Sequence, residues 1–385
     1  MFRLRFNFNQ AAKGFLMGLS ICGGLVASIP GESFLAPQDP SGTTQPVRII
    51  GPFLSREDVG EFTRVVLKNG LTVIVFERSD TPLVAMGTYV KAGFLHGDQS
   101  QKGLSSLWGP LLFRSLVPGR KGTVASEARK IGAIIDVNTF QDHTWFSTVL
   151  PAEEYRRGLE LQATGLHQFN PSAKILNKAH ISVYRLLQSR RDNPQNFSRD
   201  KLLDLAFDGR SRISGSKMDL GDSFSPNRVR RTCFQWKWLT PGNVVLVVVG
   251  NLDQRSLLKE VVKRYQGFSK KKTPSSEGMF SSSKRGFKYS VLQGDINQSW
   301  VQIGFPIPVA FTQDWYACKV LEAVLTRGQT AFLDQPLRMG KPIIHRISSR
   351  IFGLKNLGFL NLTLVLDSEH IDRAEVLTFA QIERI

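Results

Sequence analysis

The histidines and cysteines of this chain are spaced in a way that does not suit a metal centre. Zinc needs imidazole, thiolate or carboxylate ligands, and two ligands four residues apart on one helix face are a compact way to supply them. No two of the six histidines lie three to five residues apart; they are His96, His143, His167, His180, His345 and His370. The three cysteines, Cys22, Cys233 and Cys318, are too far apart for a metal knuckle or a local disulfide framework. The sequence therefore predicts no metal site, and it predicts that Cys233 and Cys318 are buried.

Three patterns indicate the elements that would have to position any functional side chain. The run RVVLKNGLTVIVF at residues 64–76 places two β-branched segments around an Asn-Gly pair, which is a strong hairpin signal. A further strand at residues 83–91 and a helix at about residues 103–116 should follow. The run VVLVVVG at residues 244–250 is continuously apolar, and it predicts a central strand buried on both faces.

The order of elements begins again late in the chain. Residues 299–304 parallel residues 83–89, and the helix expected at residues 313–326 parallels the one at residues 103–116. The sequence therefore predicts an α+β fold of two similar halves, each with helices packed on a mostly antiparallel sheet. The predicted segments are a signal sequence or anchor (1–30), an extended lead-in (31–61), a first domain (62–267), a linker (268–288) and a second domain (289–385). The second half is the shorter one, so we expect it to be incomplete.

These segments together resemble the pitrilysin and insulin-degrading enzyme family of zinc peptidases. The hairpin L-x-N-G-L-x-V, the strand and helix at residues 83–113, and the segment from Pro241 to Asn243 that leads into VVLVVVG all have counterparts there. The resemblance covers residues 64–385. It implies two peptidase-like domains with the fold of LuxS and the processing peptidases.

The family's zinc motif is degenerate in this chain. Active members carry an inverted H-x-x-E-H motif, in which the histidines bind zinc and the glutamate activates water. Ser106 and Pro110 stand at the two histidine positions, and Gly109 stands at the glutamate position. The third ligand, a downstream glutamate, would fall near Arg185 and Leu186. The resemblance thus implies a first domain whose zinc motif is lost, with no cofactor of its own and with zinc only in an active partner.

A second constellation is implied by the same resemblance. Family enzymes have an arginine and a tyrosine seven residues apart in the second half, which bind the substrate backbone and stabilise the oxyanion. Arg338 matches the arginine, and His345 stands at the tyrosine position. Arginine suits an oxyanion because its charge is permanent and its donors form a fixed fork. The alternative is a surface arginine at a helix end and an unrelated histidine.

The N-terminus and the net charge bear on location. Arg3, Arg5 and Lys13 precede an apolar run at residues 14–30, which is typical of a secretory signal. Export to the periplasm or cell envelope is the first interpretation; an uncleaved membrane anchor and a mitochondrial presequence are the alternatives. The formal net charge of +18 favours acidic partners or anionic surfaces, yet the sequence has no specific nucleic-acid signature.

Three functions remain open at this point. The first is a non-catalytic, insulinase-like subunit that forms a heterodimer with a zinc-bearing homologue and takes part in proteolysis of peptides. The second is a structural subunit of a larger complex with no role in proteolysis. The third is a protein that binds anionic surfaces through its positive charge.

Overall fold

The computed structural model of the protein describes residues 2–6, 52–93, 96, 111–167, 173–207, 238–269, 286–339, 342–354 and 357–385. Its strands, in chain order, are β1 (Phe2–Phe6), β2 (Phe53–Val59), β3 (Phe62–Leu67), β4 (Thr72–Glu77), β5 (Leu83–Val90), β6 (Ile134–Thr139), β7 (Thr144–Pro151), β8 (Val244–Gly250), β9 (Lys288–Leu292), β10 (Ser299–Ile307), β11 (Arg346–Leu354) and β12 (Leu357–Leu366). Its helices are α1 (Val124–Lys130), α2 (Tyr155–His167), α3 (Ala173–Asp192), α4 (Pro194–Ala206), α5 (Gln254–Tyr265), α6 (Gln313–Thr326), α7 (Asp334–Arg338) and α8 (Ile371–Ile382).

The described residues form two compact units, each built from separate stretches of the chain. The N-terminal unit falls within Gly42–Leu187 and Lys217–Glu277, and the C-terminal unit falls within Met1–Ser41, Gln188–Ser216 and Gly278–Ile385. The predicted first domain, 62–267, is continuous along the chain. The structure differs because α4, which lies inside that range, packs against β10, β1 and β9 of the C-terminal unit. Most of the predicted linker lies outside the described residues.

The N-terminal unit contains a seven-stranded sheet in the order β2-β3-β4-β8-β5-β7-β6. Every neighbouring pair is antiparallel except β4 and β8. Strand β2 lies within the predicted lead-in, which is therefore not wholly an extended arm. The helix α2 packs against β5 and β7, and α5 packs against β4. The predicted combination of helices and a mostly antiparallel sheet is confirmed.

The Asn-Gly hairpin forms as predicted between β3 and β4. Gly70 has φ 98°, in the left-handed region that glycine enters without strain. The Asn69 side chain accepts a hydrogen bond from the Leu71 N–H (3.1 Å) and donates one to the main-chain carbonyl of Tyr265 (2.8 Å). The turn is thus anchored to the end of α5.

Strand β8 is the central strand of its sheet, as predicted, but its burial is one-sided. Val244, Leu246 and Val248 are at most 1% exposed, whereas the valines between them remain partly exposed. The reason is that α2 covers one face of the sheet. On that face Gln162 of α2 is hydrogen-bonded to Thr88, the residue of β5 that pairs with Leu246. The prediction of burial on both faces was wrong for the described part of the chain.

The C-terminal unit contains a five-stranded sheet in the order β11-β12-β10-β1-β9. Successive residues of a strand point to opposite faces. The face of the sheet that carries Ile303 packs against α6 and α8, including the buried Cys318. The helix α4 lies on the opposite face, which carries Gln302. Burial, with a contribution from Asp314, raises the pKa of the Cys318 thiol to about 11. The predicted burial of Cys318 is confirmed; Cys233 lies outside the described residues.

The start of the predicted leader is a strand in this structure. Phe2–Phe6 pairs with β10 on one side and β9 on the other. The apolar run at residues 14–30 lies outside the described residues. Within the part of the chain that the structure describes, no helix combines the length and the hydrophobicity needed to cross a bilayer.

Candidate functional site

The positions that the resemblance assigns to the zinc motif fall outside the described residues, but residues 91–93, 96 and the segment from Leu111 onward are described. Ser106, Gly109 and Pro110 are not among the described positions. The helical residues 111–114 follow them directly, and Leu112 is 3% exposed. Leu112 lies against Gly165 of α2, where an added Cβ would come within 2.7 Å of its Cγ. Residues 111–114 therefore pack against α2 at Gly165, where the lack of a Cβ leaves room for Leu112.

A small, mostly apolar pocket lies beside this segment. Leu112 and Phe113 form one wall, and Thr88, Thr148 and Gln162 supply its polar atoms. The Gln162 amide accepts from the Thr88 hydroxyl (3.1 Å) and donates to the Thr148 hydroxyl (3.0 Å). These groups satisfy one another, and none of them is an acid or a base at neutral pH. The pocket therefore offers packing and hydrogen bonding but no proton transfer.

The described residues that follow β5 are fixed by hydrogen bonds and by ring packing. The Gly93 N–H donates to Nδ1 of His96 (3.2 Å), and the His96 ring packs edge-on against Trp238 (4.7 Å between centroids). His96 is 7% exposed. The Asn243 side chain donates to the main-chain carbonyls of Lys91 (3.3 Å) and Trp238 (2.9 Å). The histidine nearest the motif in sequence is thus a packed core residue.

Sequence reasoning missed an aromatic cluster at the ends of β5 and β7. The His143 ring stacks on Tyr89 (4.4 Å between centroids) and on Phe140 (4.5 Å), and Tyr89 meets Trp145 edge-on (5.8 Å). Nδ1 of His143 lies 2.6 Å from the Asp142 carboxylate. Burial, with a smaller contribution from Asp142, raises the pKa of Tyr89 to about 12. The sequence signal for this cluster was that Tyr89 and Trp145 lie on two predicted strands, which pair directly opposite each other in the structure.

The described residues contain no group of three or more His, Cys, Asp or Glu side chains that could hold a metal ion. The position predicted for the third ligand lies on α3, where Arg185 is exposed. An exposed guanidinium cannot coordinate zinc.

Arg338 and His345 both lie in the C-terminal unit, but each has its own partner. Arg338 ends α7, and its Nε and one terminal nitrogen donate to the same oxygen of Asp334 (3.1 and 2.7 Å). Nε2 of His345 lies 3.1 Å from a carboxylate oxygen of Asp367. Both side chains are close to half exposed, at 44% and 47%. The structure therefore gives the two predicted residues separate carboxylates and leaves both guanidinium and imidazole accessible to solvent.

The later part of the chain is similar to a known protein family. Residues 232–385 match the model described as "Peptidase M16 inactive domain". A curated relative, described as an uncharacterized zinc protease from Rickettsia bellii (strain RML369-C), is 20% identical over 287 residues. That match covers 74% of this chain and 68% of the relative.

Solved structures share the fold. The peptidase M16 inactive domain from Pseudomonas fluorescens superposes with a TM-score of 0.71 at 14% identity, over 83% of this chain and 78% of that one. Pitrilysin gives a TM-score of 0.64 at 13% identity, over 88% of this chain and 37% of pitrilysin. The resemblance to the pitrilysin family is confirmed. The periplasmic protease PqqL from Escherichia coli also superposes (TM-score 0.66, 13% identity), over 95% of this chain and 41% of PqqL. The two-halved α+β architecture of these M16 folds is the one predicted from the sequence.

Proposed function

We propose that this chain is a non-catalytic M16 subunit that pairs with a zinc-bearing homologue and takes part in peptide proteolysis. One observation carries the proposal. The described residues have the fold of M16 peptidases, while the resemblance places Ser106, Gly109 and Pro110 where two ligands and a general base are needed. A chain of this kind contributes surface and positioning groups, and the partner contributes the metal and its activated water.

Arg338 is the group best suited to act in the partner's site. Its side chain is 44% exposed, and Asp334 holds two of its nitrogens, which fixes the orientation of the guanidinium. A pre-oriented fork of donors stabilises a developing oxyanion more than a mobile charge does. His345, seven residues later, supplies a further hydrogen-bond donor at the position of the family's tyrosine.

The test is reconstitution with a co-expressed homologue that carries an intact H-x-x-E-H motif. Mixed subunits should hydrolyse a fluorogenic peptide, and each subunit alone should not. In the mixture Arg338→Ala should lower the partner's turnover about a hundred- to a thousandfold, the usual cost of removing an oxyanion donor. Arg338→Lys should recover little of it, because a point charge does not reproduce the fork. The Asp334 side chain is only 7% exposed, so Arg338→Ala leaves a buried carboxylate without its partner and lowers stability as well, whereas Arg338→Lys keeps a cation beside it. Unfolding curves of both variants separate loss of fold from loss of turnover.

Arg327→Ala is the matched control. The Arg327 side chain is 69% exposed and lies 3.6 Å from Glu322. The control variant therefore also removes an exposed arginine of the C-terminal unit that is paired with a carboxylate. Turnover should be unchanged by that variant. If Arg338→Ala supports full activity while the subunits still associate, the chain is a structural subunit and has no part in the chemistry.

The location we propose is the periplasm or cell envelope. The basic and apolar pattern of residues 1–30 supports it, and so does the fold shared with a protease described as periplasmic. Fractionation of cells that express the full chain tests this, and recovery of the protein only from the cytoplasmic fraction would contradict it.

A further inference from the structure

One face of the helix α3 carries a row of positive charges. The row consists of four exposed residues at successive spacings of four, three and four: Lys174, Lys178, Ile181 and Arg185. Side chains at these spacings lie on one face of a helix, so the row is straight and about 16.5 Å long. Ile181 is 50% exposed. We call these four residues the basic row; three of them are cations and one is apolar.

The cations of the basic row are not neutralised by acidic side chains of the protein. The sequence of α3 contains no Asp or Glu before its last residue, Asp192. Within the part of the chain that the structure describes, none of Lys174, Lys178 and Arg185 forms an ion pair. This face of α3 therefore presents three permanent charges that have no counter-charge of their own.

The charge at the start of α3 also works against the helix itself. The helix begins at Ala173, so Lys174 lies in its first turn, which has no acidic residue. The N-terminal end of a helix carries a partial positive charge, which favours acidic side chains and disfavours basic ones. A residue that breaks a local stability rule is a candidate for a functional role. An anion bound beside Lys174 would relieve the repulsion.

A fourth cation reaches the basic row from a different element. Arg114 is the last of the helical residues 111–114, and its Nη2 donates to the Ser182 hydroxyl at 3.2 Å. Ser182 lies four residues after Lys178 and three before Arg185, so it flanks the row between them. Nη1 of Arg114 is buried and has no hydrogen-bond partner within the described part of the chain. This guanidinium thus adds an uncompensated positive charge at the side of the row.

The spacing of these charges fits an extended acidic peptide. With Arg114 at the level of Ser182, four cations lie along about 16.5 Å, which is one every 5.5 Å or so. In an extended chain alternate side chains point to the same side and are about 6.7 Å apart. Lysine and arginine have long, flexible side chains, and these can take up a difference of this size. Ile181 lies within the row and offers an apolar contact to the methylene groups of glutamate.

We propose that the basic row and Arg114 bind an extended peptide segment in which acidic residues alternate with uncharged ones. The carboxylates of that segment take the place of the ion-pair partners that α3 lacks. The inference deepens the proposed function, on which it rests only for the fate of the peptide, because it gives the class of peptide that a complex with this chain would select. Binding itself requires neither a metal nor a partner subunit.

The first experiment measures peptide binding by the full chain alone, at about 50 mM salt, where exposed charges are weakly screened. The probe is a fluorescein-labelled peptide in which four glutamates alternate with threonines, and the readout is fluorescence anisotropy. The row variant combines Lys174→Gln, Lys178→Gln and Arg185→Gln. An exposed ion pair contributes about two- to fivefold in affinity, so the row variant should bind the probe about ten- to a hundredfold more weakly. Glutamine keeps the helix propensity of lysine and arginine, and unfolding curves check that the variant is folded.

The matched control removes the same amount of charge from another exposed surface of the N-terminal unit. Arg56, Arg64 and Arg78 are 40%, 45% and 51% exposed, and each is paired with a carboxylate. The control variant, with all three changed to glutamine, should bind the probe as the native chain does. Equal losses of affinity in the two variants would mean that net charge alone attracts the peptide, and this would overturn the proposal.

Further probes separate this site from other anion sites. A peptide of the same composition, with its four glutamates in one run, should bind more weakly, because adjacent residues of an extended chain point to opposite sides. Equal affinity for the two peptides would overturn the extended geometry. The other probes are a single-stranded oligonucleotide and a vesicle that contains an anionic lipid. If either binds the native chain more tightly than the peptide and is lost in the row variant, the basic row is a phosphate site and the peptide proposal is wrong.

Failure of this inference can be told apart from failure of the proposed function. In the reconstituted pair the row variant should raise KM for the alternating acidic peptide more than KM for a neutral peptide. If the pair hydrolyses the neutral peptide but the chain alone does not bind the acidic probe, the inference is wrong and the proposed function stands. If the chain binds the acidic probe through the basic row but no pair is active, the inference stands and the proposed function is wrong.

Discussion

Gln302 is the centre of a buried polar network whose disruption should have a calculable cost. The residue is fully buried on β10, and its amide nitrogen donates to the Ser198 hydroxyl of α4 (2.8 Å). Its amide oxygen accepts from the Asn361 amide (2.9 Å) and from the Thr363 hydroxyl (2.8 Å), both on β12. The change Gln302→Leu has nearly the same volume and removes all three hydrogen bonds.

The cost depends on which partners are left without a hydrogen bond. The Asn361 amide still reaches a main-chain carbonyl at 3.1 Å, and the Ser198 hydroxyl still reaches one at 3.3 Å. Thr363 is 5% exposed, and among the described hydrogen bonds its hydroxyl makes one, to the Gln302 oxygen. An orphaned buried hydroxyl costs about 1–3 kcal/mol, and each lost bond that is not orphaned costs about 1 kcal/mol. Leucine returns part of this through apolar burial, so we expect a net destabilisation of about 2–4 kcal/mol.

The assay is urea unfolding of the full chain, combined with hydrogen exchange of β10 and β12 to assign the change to the C-terminal unit. Gln302→Leu with Thr363→Val should regain about 1–2 kcal/mol over Gln302→Leu alone, because it removes the orphaned hydroxyl. A single variant within about 0.5 kcal/mol of the native chain, or a double variant with no gain, would refute this reasoning.

Three further outcomes follow from the N-terminal unit and the motif. Gly87→Ala should cost about 1–3 kcal/mol, since the new Cβ would overlap the Trp145 indole; Gly267→Ala, with open space around it, should be nearly neutral in the same thermal unfolding assay. The raised pKa of Tyr89 means that its contribution to folding stability is complete below about pH 10 and is lost as the pH rises to about 12; Tyr89→Phe should lessen that loss in unfolding curves measured across the range. Ser106→His with Pro110→His should give neither zinc retention in metal analysis nor peptide hydrolysis, because the base and the third ligand remain absent; stoichiometric zinc with chelator-sensitive activity would contradict it.

The features predicted correctly from the sequence are those with local signals. The Asn-Gly turn specifies its own hairpin, because few other pairs adopt the required backbone conformation. The β-branched run at residues 244–250 specifies a strand, and its lack of charge places it inside the sheet. The internal repeat then gives the second sheet by analogy. None of these inferences needs knowledge of contacts distant in the chain.

The features missed depend on distant pairing. Residues 194–206 fell in the predicted first domain because the prediction followed the order of the chain, and nothing in their sequence says which sheet the helix α4 covers. The pentapeptide FRLRF has neither turn residues nor length to announce a strand, and the apolar run after it indicates a leader. The Asp334–Arg338 ion pair, at a spacing of four, was readable from the sequence; the pairing of His345 with Asp367 required the fold.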